Sequence, residues 1–250
     1  MVSFCILLAG KYISVSCLYE QTREFCRAYI ADHALAELSV TVSPIDIEAE
    51  RKKSQREREL EGLPPYEFPR EYLETLALYR KLVEELLPFG IILFHGSTLS
   101  FDGKGYIFTA KSGTGKSTHT RIWRKVFGER VKMINDDKPL ISVTEQGITV
   151  HGTPWCGKHG LGENTSAPLC GIAVLLRSDN NFAEPLSKRD AFPSLFGQVY
   201  RPKDGEKLGL VLSALDKLLS KVPVFRLGVN MKDEAARVAK EIMIGAEPQK

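Results

Sequence analysis

The stretch that most constrains this chain is Phe108-Thr-Ala-Lys-Ser-Gly-Thr-Gly-Lys-Ser-Thr118. Gly105-Tyr-Ile-Phe-Thr-Ala110 reads as a buried strand, and Lys116 to Phe127 reads as a helix. A strand, a glycine-rich turn and a helix in that order define an α/β unit. The pattern G-x-x-x-x-G-K-[ST] is met at Gly115, Lys116 and Ser117, with Ala110 in the first glycine slot. Gly113 and Gly115 allow the positive φ angles that turn successive N–H groups inward to form an anion nest. Ser112, Gly113, Thr114, Gly115 and Thr118 then supply a cradle for a nucleotide's phosphates. Lys116 bridges the β- and γ-phosphates, and the Ser117 hydroxyl is a ligand for Mg²⁺. An ordinary glycine-rich turn is the bland alternative. The strand before and the helix after favour the nucleotide site.

Composition narrows the setting. Over 250 residues a formal net charge of +3 is weak, and no basic stripe suggests a nucleic-acid partner. The five cysteines (Cys5, Cys17, Cys26, Cys156 and Cys170) show no C-x-x-C spacing and read as free thiols. Val2 to Ala9 is apolar like the core of a secretion signal but lacks a basic stretch before it. An alternating segment, Lys11 to Ser16, follows at once, which favours a hairpin turning at Ala9-Gly10. No apolar run approaches membrane-spanning length. The expected compartment is the cytoplasm, with no membrane partner.

The pattern divides the chain into an N-terminal α+β lobe over 1–89 and an α/β core over 90–250. In the lobe the hairpin is followed by a helix near Glu20 to Ile30 and a strand at Leu38 to Val42. Ser43-Pro44 caps a very polar helix through about Glu61. Its alternating charges read as a solvated face held by i,i+4 pairs, with a partner-binding arm as the sharper alternative. A Pro-rich connector, Gly62 to Pro69, leads to a helix through Leu87 with Leu73, Leu76, Tyr79, Val83 and Leu86 on one face. The core reads as strands at 91–94, 98–101, 106–109, 131–135, 140–143, 148–151, 171–176 and 224–227. A loop is expected over 152–167, and helices at 188–200, 204–221 and 232–243.

Asn135-Asp136-Asp137 leaves the strand after the loop's helix, with Asp136 only 20 residues past Lys116. One carboxylate there serves to hold Mg²⁺ and the other to take the proton of an attacking hydroxyl. The residues alone do not say which does which. The short separation suits phosphotransferases better than motor or transporter ATPases.

His95-Gly96 after a strand, then Ser112-Gly-Thr-Gly-Lys-Ser117, then Asp136-Asp137, resembles the superfamily of HPr kinase/phosphorylase and ATP-dependent phosphoenolpyruvate carboxykinase. The resemblance runs from Leu93 to Leu140. It implies a mixed-sheet α/β P-loop core of the phosphoenolpyruvate carboxykinase/HPr kinase type, ATP with Mg²⁺ (or Mn²⁺) as cofactors, and catalytic roles for His95, Lys116, Asp136 and Asp137. His95 and one aspartate would then sit at the metal and the γ-phosphate, giving Ser117, Asp136 and His95 as the metal set. The oxaloacetate-binding arginines of the carboxykinases and the protein-substrate signature of the HPr kinases have no counterpart in these motifs, which leaves the acceptor open.

For the acceptor, the loop Gly152-Thr-Pro-Trp-Cys-Gly-Lys-His159 offers Trp155 as an apolar wall and Lys158 for an anionic group. The competing reading makes Trp155 a core plug and Lys158 a solvated cation. Cys156 reads as a small filler. Of His119 and Thr120, one turn into the helix, one is expected to face the site and the other the sheet. Arg121, Arg177 and Arg201 are candidate phosphate clamps, each more simply a surface residue, and Arg201 stands out because Tyr200-Arg-Pro-Lys203 breaks between two helices. The expectation is an ATP- and Mg²⁺-dependent kinase acting on a hydroxyl of a small molecule, peptide or protein. A nucleotide-binding sensor that hydrolyses slowly or not at all is the alternative.

Overall fold

In the computed structural model, residues 1–32 and 35–245 are described, and the chain divides into two compact units, Met1–Glu85 and Leu86–Lys250. Among the described residues no helix is long and apolar enough to cross a membrane. The five cysteines are free thiols.

The first unit is built on a three-stranded sheet of β1 (Val2–Leu8), β2 (Lys11–Cys17) and β3 (Leu38–Thr41), in that order. β1 and β2 form the antiparallel hairpin, turning through Ala9 and Gly10 at φ 50° and 78°. That left-handed pair matches the right-handed twist of the flanking strands. β3 returns parallel to β2. The first helix, α1 (Glu20–Phe25), is shorter than its sequence pattern, because the chain tightens into a 3₁₀ turn at Arg27–Tyr29. In α2 (Pro44–Leu60) Ser43 and Asp46 form a capping box ahead of the charged run. Glu48–Arg51 and Lys53–Glu57 pair along its surface. Glu50 departs from that solvated face. It is buried and takes the Arg80 guanidinium of α3 (Arg70–Leu86). The buried side of α3 is wider than the expected stripe: Leu78 and Leu82 join it, while Leu76 is only half-buried.

The second unit is a mixed α/β fold. Its elements in chain order are β4 (Ile91–Leu93), β5 (Ser97–Phe101), β6 (Lys104–Thr109), α4 (Lys116–Phe127), β7 (Val131–Asn135), β8 (Leu140–Val143), β9 (Ile148–His151), β10 (Ser166–Arg177), β11 (Phe182–Leu186), α5 (Lys188–Phe196), α6 (Gly205–Lys221), β12 (Val224–Val229) and α7 (Glu234–Gly245). They form one nine-stranded sheet, ordered β4-β8-β9-β10-β6-β5-β7, with β12 beside β10 and β11 outside β12. The expected loop over 152–167 ends at Ser166, because β10 begins there, pairs antiparallel with β9 and only then runs parallel to β6 and β12. β11, short, largely exposed and carrying Pro185, has no strong strand signature in the sequence.

Alternation along the strands divides the core into two layers. Ile107, Ile134, Ile172 and Val224 point to one face and pack with Leu195 of α5 and Val211, Leu215 and Leu218 of α6. Tyr106, Phe108, Ala173 and Phe225 point to the other, against Trp123 of α4 and Ala236, Ala239 and Met243 of α7. Helices therefore cover both faces.

Strand direction decides where chemistry can gather. β5 is antiparallel to both β6 and β7, so the carboxyl ends of β6 and β7 lie at one edge with the start of β5 between them. β10 and β12 run parallel to β6 and end at that same edge. Ligands of α/β sheets bind in the crevice outside such ends.

Candidate functional site

The turn from β6 to α4 has the conformation its glycines permit. Gly113 and Gly115 take φ 76° and 119°, and a Cβ on either would meet nothing within 4 Å, so the constraint is backbone angle rather than space. Gly115 is the N-cap of α4, which leaves the first-turn amides without intrahelical acceptors and facing the mouth of the loop. Lys116 Nζ donates to Ala110 O at 3.1 Å, folding the ammonium across that mouth. Burial lowers its pKa, while the charge of Asp137 acts in the opposite direction. Arg177, at the end of β10, donates to Gly113 O at 2.7 Å. It is the guanidinium at the loop. Arg201 instead lies over the Phe196 ring.

Two strands away, Asn135 ends β7 and organises the turn after it. Its Oδ1 accepts from the amides of Asp137 (2.8 Å) and Lys138 (2.7 Å). Its Nδ2 donates to Thr153 O at 3.1 Å and Thr153 Oγ1 at 3.0 Å. The buried Asp136 carboxylate accepts from the Gly157 amide at 2.6 Å. A Cβ at position 157 would stand 3.2 Å from Asp136 Oδ2 and 3.4 Å from the Asp137 Cβ, so any larger residue would have to push the carboxylate turn back by a few tenths of an ångström. The Gly152–His159 loop therefore acts as a clamp on Asp136. Within it Trp155 is 4 % exposed, a core position, whereas Lys158 and His159 are at the surface. Cys156 is a filler beside Asn135, its thiol pushed up to about 11 by burial first and then by Asp136 and Asp137.

Asp137 lies between two donors. His95 Nε2 is 3.2 Å from its Oδ1, and Lys138 Nζ binds its Oδ2. Burial alone would raise the carboxyl's pKa. The hydrogen bonds and charges of His95 and Lys138 outweigh that and hold it at about 2. His95 and its neighbour also bind both flanking strand ends through the backbone. The Gly96 amide donates to Asp137 O at 3.0 Å, and Thr109 Oγ1 donates to His95 O at 2.9 Å. One short segment thus connects the strand that feeds the loop to the carboxylate pair.

His119 and Thr120 are both buried and point different ways. Thr120 Oγ1 is 3.2 Å from Ser97 Oγ of β5. His119 lies against Phe108 and accepts from Trp123 Nε1 at 2.9 Å. Two cavities flank the loop. One of about 1100 Å³ is lined by Ser112, Gly113, Pro193, Ser194 and Gln198. The other, of about 600 Å³, is lined by Thr118, His119 and the ends of β10 and β12. By sequence Arg177 is one of three candidate clamps, more simply a surface residue, and neither Asn135 nor Gln198 carries a signature of its own. The signal for Arg177 is partial: it ends an apolar strand, but which strand lies beside the loop depends on the sheet order.

No protein-family model matches the chain, and no curated protein matches it in sequence. Among solved structures, the chain is similar to the structure of the Hpr(Ser) kinase/phosphatase from Coxiella burnetii, at a TM-score of 0.34 and 11% identity, over 61% of this chain and 99% of that one. So distant a likeness carries no statement about residues or chemistry.

Proposed function

We propose that the second unit is an ATP- and Mg²⁺-dependent phosphotransferase that moves the γ-phosphate to a hydroxyl of a small molecule, peptide or protein. The observation that supports this reading is the His95-Gly96 segment, bound on one side to Thr109 at the foot of the loop and on the other to Asp137. It ties a phosphate cradle to a carboxylate pair.

Each residue has a task in this reading. The amides from Gly113 to Thr118 hold phosphate oxygens. Lys116 turns from Ala110 O to the β- and γ-phosphates, exchanging a neutral hydrogen bond for a charge-assisted one. Asp137, held at about 2, is a weak base, so it orients the acceptor hydroxyl by accepting its hydrogen bond. A loose transition state needs no early deprotonation. His95 keeps that carboxylate aimed.

Among the described residues no group of three or more His, Cys, Asp and Glu side chains is arranged to hold a metal by itself. Mg²⁺ at phosphate sites takes one or two protein ligands and completes its shell with phosphate and water. Asp136, with an oxygen beyond the one bound to Gly157, and the Ser117 hydroxyl fit that demand. His95 has its Nε2 on Asp137, which leaves the oxygens as the metal set. When bound, the ion neutralises charge on the phosphates.

The test is transfer of label from γ-labelled ATP to a library of hydroxyl metabolites and peptides. The wild type should label at least one acceptor, and Lys116→Ala none. Tight ATP binding with no labelled acceptor would overturn the kinase reading in favour of a nucleotide sensor.

A further inference from the structure

The sheet order gives the site two ends. β5 and β7, with His95 and Asp137, lie on one side of β6, and β10 and β12 lie on the other. A triphosphate whose γ-phosphate reaches toward Asp137 therefore runs back toward the ends of β10 and β12. The cavity of about 600 Å³ opens there, walled by Thr118, His119, Arg177, Ser178, Asn230 and Met231. Ligand pockets have volumes of roughly 300–1,000 Å³.

One buried group in that wall has an unmet bond. His119 is 2 % exposed, and its Nε2 accepts from the Trp123 indole N–H at 2.9 Å. An indole can only donate, so the neutral imidazole carries its proton on Nδ1. Burial keeps the ring neutral, its pKa lowered to about 3. Nδ1 has no hydrogen-bond partner among the described residues. Buried N–H groups are rarely left unpaired. This one is closed to solvent on a residue of the cavity wall, so a base that shifts the wall slightly on entry would supply the missing acceptor.

We propose that this cavity receives the nucleoside of the triphosphate, with His119 Nδ1–H donating to a ring nitrogen or carbonyl of the base. The proposal rests on the phosphate-site reading and adds the direction in which the nucleotide lies. Arg177, bound to Gly113 O, stands where the loop meets the pocket. The acceptor is then confined to the His95 side.

The discriminating measurement is calorimetric titration with Mg-ATP and with inorganic tripolyphosphate, which shares the phosphates and lacks the nucleoside. Wild type should bind ATP more tightly than tripolyphosphate. His119→Gln keeps an acceptor for the Trp123 indole and loses the Nδ1 donor. It should weaken ATP by about 5- to 10-fold, the worth of one buried hydrogen bond, and leave tripolyphosphate unchanged. Ser178→Trp fills the cavity from its rim and changes no residue of α4. It should weaken ATP by at least about 10-fold with the same indifference to tripolyphosphate. Equal losses for both ligands, or no loss in either variant, would overturn the proposal. Wild-type binding of tripolyphosphate as tight as ATP would sink the pocket while sparing the phosphate site. Binding of neither would end both.

Discussion

His95 Nε2 stands 3.2 Å from Asp137 Oδ1, and the carbonyl of the same histidine accepts from Thr109 at the end of β6. Side chain and backbone of one residue thus fix the distance between the loop and the carboxylate. If Asp137 orients the acceptor, Asp137→Asn should leave ATP affinity within about 3-fold and lower turnover by about 10²-fold, the scale on which a misplaced reactant loses rate. Calorimetry alongside label transfer separates the two effects. A parallel loss of binding would make Asp137 a ligand of the nucleotide instead.

Asn135 carries the turn that presents both aspartates. With two backbone amides on its Oδ1 and Thr153 on its Nδ2, it has no replaceable half. Asn135→Ala should cost about 2–4 kcal/mol, since several buried partners lose their bond at once. Asn135→Asp should cost a similar amount, because the new oxygen would face Thr153 O. Urea denaturation measures both. A change below about 0.5 kcal/mol, typical of surface positions, would contradict this account of the turn.

The N-terminal unit has its own buried carboxylate. Glu74 is fully buried and accepts from the amides of Leu18 (2.6 Å) and Tyr19 (3.1 Å) and from the Thr22 hydroxyl. It ties α3 to the chain entering α1. Glu74→Ala should destabilise the protein by about 3 kcal/mol, and Glu74→Gln by less, since the amide oxygen keeps part of the set. Hydrogen exchange at Leu18 and Tyr19 should accelerate in the alanine variant.

Local patterns made much of this architecture legible. The hairpin at Ala9-Gly10, the Ser43 cap and the strand–loop–helix at Thr109 to Lys116 each depend on neighbours within a few residues. What escaped the sequence depends on strand order. Arg177 meets Gly113 only because β10 lies beside β6, and Gly157 meets Asp136 only because the 152–165 loop folds back on the end of β7. Glu50 looked solvated because its partner, Arg80, lies 30 residues away on another helix. Trp155 could be read as wall or plug from sequence, and its burial fits the plug.

Two histidines, His119 buried and His151 partly buried, contribute to the acid response of the fold. Burial lowers the pKa of His119 to about 3 and that of His151 to about 4, from 6.5 in each case. Both are neutral in the folded protein and become charged on unfolding at mildly acidic pH. A depressed folded-state pKa gives stability that is fully present above pH 6.5 and is lost as pH falls toward the folded value. Between about pH 6 and 5 the unfolded chain binds close to two more protons at these sites than the native one. Each contributes a slope of about 1.4 kcal/mol per pH unit. His119→Gln should remove about one proton's worth of that slope while leaving the His151 share, where Nε2 lies 2.8 Å from Ser142 Oγ. Urea titrations at pH 7.5, 6 and 5 give the slopes directly. An unchanged slope in His119→Gln would mean that the ring is protonated in the native fold, and it would remove the neutral Nδ1 donor from the pocket.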